Sequence, residues 1–96
     1  MRRESKQTNQ RLTIFVPDGA VTGRVIRFLE TGLVAQVDRQ VPRDAFFRFT
    51  LHLQQGVIAG EIASIGQEDN TCRLQFTALT SADQARLEPL IEPEDG

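Results

Sequence analysis

The residues best suited to chemistry in this chain are its arginines. Ten of the eleven bases are Arg, and they are unevenly placed. Residues 1–48 carry nine bases against five acids, a net of +4, whereas residues 49–96 carry two bases against eight acids, a net of -6. The bases of interest are Arg2, Arg3 and Lys6 near the start, then Arg24 and Arg27, with Gly32 shortly after them. A guanidinium clamps a phosphate or carboxylate through paired N–H groups, and a glycine lets backbone come close to a ligand. The pattern therefore points to an anion meeting the first half of the chain. The bland alternative is a solvated basic tail followed by ordinary exposed strand arginines.

Other chemistry finds little support. One His (His52) and one Cys (Cys72) fall short of the three or four ligands a zinc site needs, and one Cys forms no internal disulfide. His52 alternates with the apolar positions of its segment and has no acid or nucleophile at a telling spacing. Cys72 alternates with apolar residues and reads as an inert buried thiol. The acid pairs Asp38/Asp44 and Glu68/Asp69 sit in expected turns, where carboxylates cap backbone N–H groups. GxSxG, HExxH, Walker-type and GxGxxG motifs are all missing. The chain thus reads as non-enzymatic, with no required cofactor and no metal.

The elements that must position the arginines follow from composition and periodicity. With 96 residues, 40% hydrophobic and 25% charged, the chain has room for one domain with a modest core. No apolar run reaches the ~20 residues of a membrane span, and the basic N-terminus is not followed by the apolar stretch of a signal peptide. A soluble protein of a reducing compartment is the expectation. Residues 1–10 read as a flexible basic arm, and residues 11–96 as the folded part. Apolar residues alternate through Arg11–Val16, Val21–Leu29, Leu33–Val37, Phe46–Leu53, Val57–Ile65 and Thr71–Ala78, predicting six strands. Pro17-Asp18-Gly19 supplies a hairpin turn, and Asp38–Ala45 a loop. Phe47, Phe49, Leu51 and Leu53 are expected inward, as are Cys72, Leu74, Phe76 and Ala78. Of the neighbours Phe46 and Phe47, one faces outward, with core packing its expected use. Ser81-Ala82-Asp83-Gln84 fits a capping box for a helix over about 81–92, which Pro89 would kink or shorten. Short antiparallel strands joined by tight turns close on themselves to remove exposed edges. The predicted fold is all-β with one helix: a six-stranded antiparallel β-barrel whose mouth is covered by a C-terminal α-helix.

The order of these features resembles the PilZ domain family. The resemblance covers residues 2–92: an Arg-Arg-x-x-Lys start, a hairpin through Asp-Gly, Gly23-Arg-Val-Ile-Arg-Phe-Leu-Glu-Thr-Gly32-Leu33, a Phe-rich strand, Gly60-Glu-Ile, Leu74-Gln-Phe76 and the final helix. It implies a split-barrel fold and a cyclic-di-GMP site. PilZ domains that bind this ligand carry RxxxR in the arm and D/NxSxxG at a strand break. Here the arm matches as Arg2-x-x-x-Lys6, with Lys for the second Arg and Arg3 beside the first. The second motif reads Arg27-Phe28-Leu29-Glu30-Thr31-Gly32, keeping only its glycine. Arg27 accepts no hydrogen bond from a guanine edge, and Leu29 has no hydroxyl to donate to a phosphate. Each lost polar partner of a buried ligand costs about 1–3 kcal/mol.

The resemblance therefore implies a cytoplasmic bacterial signalling module with a degenerate cyclic-di-GMP site at Arg2, Arg3, Lys6, Arg27, Leu29 and Gly32. Its remaining role would be contact with a protein partner of a signalling, motility or surface-appendage system. One alternative is a working cyclic-di-GMP receptor with a variant phosphate-binding arm. Another is a small-barrel nucleic-acid-binding protein, which would offer exposed aromatics along a basic groove. Tyr and Trp are missing and most Phe positions are expected inward, so that alternative ranks last.

Overall fold

The computed structural model describes residues 10–91. Six strands account for most of them: β1 (Arg11–Val16), β2 (Gly19–Phe28), β3 (Gly32–Val37), β4 (Phe46–Leu53), β5 (Gly56–Glu68) and β6 (Thr71–Ala78). They form a closed antiparallel barrel in the order β1-β2-β3-β6-β5-β4, with β4 returning to β1. Closure gives every strand a paired neighbour on both sides, which removes most of the exposed edge of an open sheet. A short helix, α1 (Ser81–Leu87), the one α-helix among the described residues, follows the barrel and runs into a 3-10 turn at Glu88–Leu90. No helix among the described residues is long and apolar enough to cross a membrane.

Alternation explains the core. Leu12, Ile14, Val21, Val25, Leu33, Ala35, Phe49, Leu51, Ile58, Ile62, Cys72 and Leu74 are each at most 1% exposed and fill the barrel. Burying side chains of this size stabilises the fold by roughly 1.5–3 kcal/mol each. The hairpin turns require backbone that glycine adopts most easily, with φ of 142° at both Gly19 and Gly56. The 38–45 loop carries fully buried Val41 into the barrel. Gln67 on β5 holds it there: its Oε1 accepts from the Val41 N–H at 3.0 Å, and its Nε2 donates to the Arg39 carbonyl at 3.3 Å.

Three details depart from the periodic reading. β5 extends to Glu68 rather than Ile65. The register between β5 and β6 passes from Glu61↔Ala78 to Ile62↔Phe76, which makes Thr77 an extra residue on β6. That bulge reverses the alternation beyond it, so Ala78 faces outward instead of inward. Phe46 is 63% exposed rather than packed, while its neighbour Phe47 lies against the core.

The helix also differs from its sequence signature. Thr80, not Ser81, is the N-cap: its Oγ1 accepts from the Asp83 N–H at 3.1 Å. Both hydroxyls could cap, and the point where the chain leaves β6 decides between them. The α-helix ends at Leu87 because Pro89 has no N–H to continue the ladder. Leu87 is buried, and Leu90 and Ile91 pack against the core, with Ile91 bridged to Phe28 at the end of β2.

Candidate functional site

The three described motif residues, Arg27, Leu29 and Gly32, fall at the end of β2, in the β2–β3 turn and at the start of β3. Arg2, Arg3 and Lys6 lie outside the described residues. In β2 the register passes from Val25↔Ala35 to Arg27↔Val34, so Ile26 is an extra, bulged residue. Strict alternation could not place both Val25 and Phe28 in the core. The bulge does so and leaves Ile26 exposed and Arg27 half-buried. On β3 Val34 pairs on its other side with Arg73 of β6, so two arginines flank Val34. Arg73 was not among the residues expected at the site, because nothing in its own segment links it to β2.

The turn itself is closed by backbone. The Leu29 N–H donates to the Gly32 carbonyl at 2.8 Å, and the Phe76 N–H donates to the Thr31 carbonyl at 3.0 Å. Leu29 is only 6% exposed, so its side chain is largely buried and presents no polar group. Gly32 has a structural reason to be glycine: a Cβ there would stand 1.9 Å from the Leu74 carbonyl oxygen and 2.9 Å from the Gln75 Cα. The backbone of β6 occupies the space a side chain would need.

Beside this turn, α1 and the end of β6 enclose an open groove of about 970 Å³. Its apolar floor includes Phe28, Leu29, Phe76 and Leu87, and its polar rim includes Glu30, Arg73, Gln75 and Glu88. Among the described residues, two carboxylates and one guanidinium line this groove. Among the described residues no group of three or more His, Cys, Asp or Glu comes together to hold a metal. His52 is exposed on the outer face of β4. Cys72 is fully buried with its Sγ 3.4 Å from the Ser64 hydroxyl; burial pushes its thiol pKa up, and the contact with Ser64 opposes this in part.

No family model, curated protein or solved structure matches the chain.

Proposed function

We propose that the protein is a non-enzymatic, PilZ-like regulatory or adaptor module whose cyclic-di-GMP site is weak or lost, acting in the bacterial cytoplasm through a protein partner of a signalling, motility or surface-appendage system. The observation that supports the loss is the buried Leu29 side chain at the position where the family motif needs a hydroxyl. Arg27 stands where the motif has its Asp or Asn, so that position offers no acceptor for a guanine edge. The motif's remaining glycine, Gly32, is accounted for by the approach of β6 and carries no weight for the ligand.

Titration calorimetry with cyclic-di-GMP tests this. The expected result is no heat at micromolar protein. Lys6→Arg, Arg27→Asp and Leu29→Ser together should restore part of the binding. Because Leu29 is buried, this triple variant must first be shown to fold: truncating a buried leucine costs about 2–5 kcal/mol. Micromolar or tighter binding by the unaltered chain that disappears in Arg2→Ala, Arg3→Ala would overturn the proposal in favour of a working receptor.

A further inference from the structure

Three neighbouring strands, β4, β1 and β2, contain no Asp or Glu at any position. Their outward positions carry Arg48, Thr50 and His52 on β4, Arg11, Thr13 and Phe15 on β1, and Thr22 and Arg24 on β2. Thr13 pairs with both Thr50 and Thr22, so three threonines form one row across the strands. Two residues along, Arg11 pairs with Arg24, and continuing the β1–β4 register one residue past Leu12↔Leu51 brings His52 to its other side. Two residues the other way, continuing that register one residue past Ile14↔Phe49 brings Arg48 to the side of Phe15. The result is a donor-rich face roughly 10 Å across and roughly 13 Å long, from strand spacings of about 4.8 Å and a rise of about 3.3 Å per residue.

Arg11 and Arg24 are directly opposite each other. The Val25 N–H donates to the Gln10 carbonyl at 2.9 Å, which makes Arg11–Arg24 a non-hydrogen-bonded pair, the kind with the closest side chains. Both are exposed, and neither has an ion-pair partner among the described residues. Like charges at such positions destabilise a sheet, so folding alone does not favour the pair. An anion bound between them would remove the repulsion.

The face also bears aromatic rings. Phe15 is 47% exposed and Phe46 is 63% exposed, and Phe46 lies two residues from Arg48 on the same side of β4. Exposed phenyl faces beside guanidinium groups are the parts that bind unpaired bases and their phosphates. We infer that the outer face of β4, β1 and β2 binds single-stranded nucleic acid, with Arg11, Arg24 and Arg48 on phosphates and Phe15 and Phe46 stacking bases. An acidic peptide would use the arginines but leave the rings without a role. Two acids mark the margins: Asp38, whose carboxylate accepts from the Thr22 hydroxyl at 2.9 Å, and Glu61, opposite Arg48 on β5. This face is separate from the β2–β3 turn, and its use does not depend on cyclic-di-GMP.

The test is fluorescence anisotropy of the full chain with a labelled twelve-nucleotide oligodeoxythymidylate. Three phosphate contacts on a single strand give a log–log salt slope of about -2, so binding should weaken roughly 20-fold between 50 and 200 mM salt. Arg11→Glu with Arg24→Glu should abolish binding, and Arg24→Gln alone should reduce the slope by about 0.7. Phe15→Ala and Phe46→Ala should each weaken oligonucleotide binding roughly 5- to 150-fold, the range for one stacked base, while leaving heparin binding unchanged. Circular dichroism melts confirm that each variant is folded. No binding at 50 mM salt, or binding that persists in folded Arg11→Glu, Arg24→Glu, would overturn the inference. So would displacement of the oligonucleotide by polyglutamate at equal charge, which would assign the face to an acidic protein surface.

Discussion

Gly32→Ala separates a structural glycine from a ligand glycine. The added Cβ would stand 1.9 Å from the Leu74 carbonyl oxygen, where real contacts begin near 3.0 Å, so β3 and β6 must part by about 1.1 Å. The obstacle is backbone in a paired strand, and no flexible side chain can swing away. Overpacking of this kind costs about 1–3 kcal/mol. Alanine's smaller unfolded-state entropy returns about 0.4–1 kcal/mol. The net should be a loss of about 1.3 kcal/mol, set against a total of roughly 5–14 kcal/mol for a domain of this length. Urea unfolding measures it directly, and the thermal midpoint should fall by about 5–10 °C. Gly66→Ala is the internal control: a Cβ there meets nothing within 4 Å, so that variant should unfold at or slightly above the wild-type midpoint. If Gly32→Ala lies within about 0.5 kcal/mol of wild type, the ordinary range for harmless surface changes, strand approach is not what requires the glycine.

Thr80→Ala should cost about 1 kcal/mol through loss of the cap to the Asp83 N–H, whereas Ser81→Ala should stay within about 0.5 kcal/mol; urea melts of the two variants compare them. Gln67→Leu should cost about 1–3 kcal/mol, because the Val41 N–H loses its acceptor, and hydrogen exchange should speed up at Val41 before the rest of the core. The Cys72 thiol should resist a thiol-directed reagent until the barrel opens, so its labelling rate should follow unfolding as denaturant is added. Its folded pKa is raised above the ordinary 9.0, so this group's contribution to stability is full at lower pH and is lost as pH rises through the folded value. Cys72→Ala should therefore show a flatter alkaline decline in urea stability than the wild type.

Much of the barrel was legible because its signal is local. Leu12, Ile14 and Val16, or Phe49 and Leu51, repeat every second residue, and that period alone identifies strands with one buried face. Errors gathered where a bulge inserts a residue. Thr77 turned Ala78 outward, and no feature of Thr71–Ala78 announces that shift. The helix starts at Ser81 as expected, but its cap is Thr80 because Thr80 and Ser81 carry equivalent hydroxyls, and its end came at Leu87 because Pro89 acted as a stop rather than a kink.

The candidate sites divide along the same line. The altered motif at Arg27 and Leu29 is visible in the sequence, and its chemistry follows from residue type alone. That Leu29 is interior, and that β6 rather than a ligand fills the space over Gly32, depends on strand packing between segments some forty residues apart. The charge asymmetry is likewise a property of the sequence. The pairing of Arg11 with Arg24, and the placing of His52 and Arg48 on the neighbouring strand, comes from register and closure. Periodicity fixes which face a residue occupies. Only the lateral pairing of strands, made by hydrogen bonds between distant segments, decides which residues share that face as neighbours.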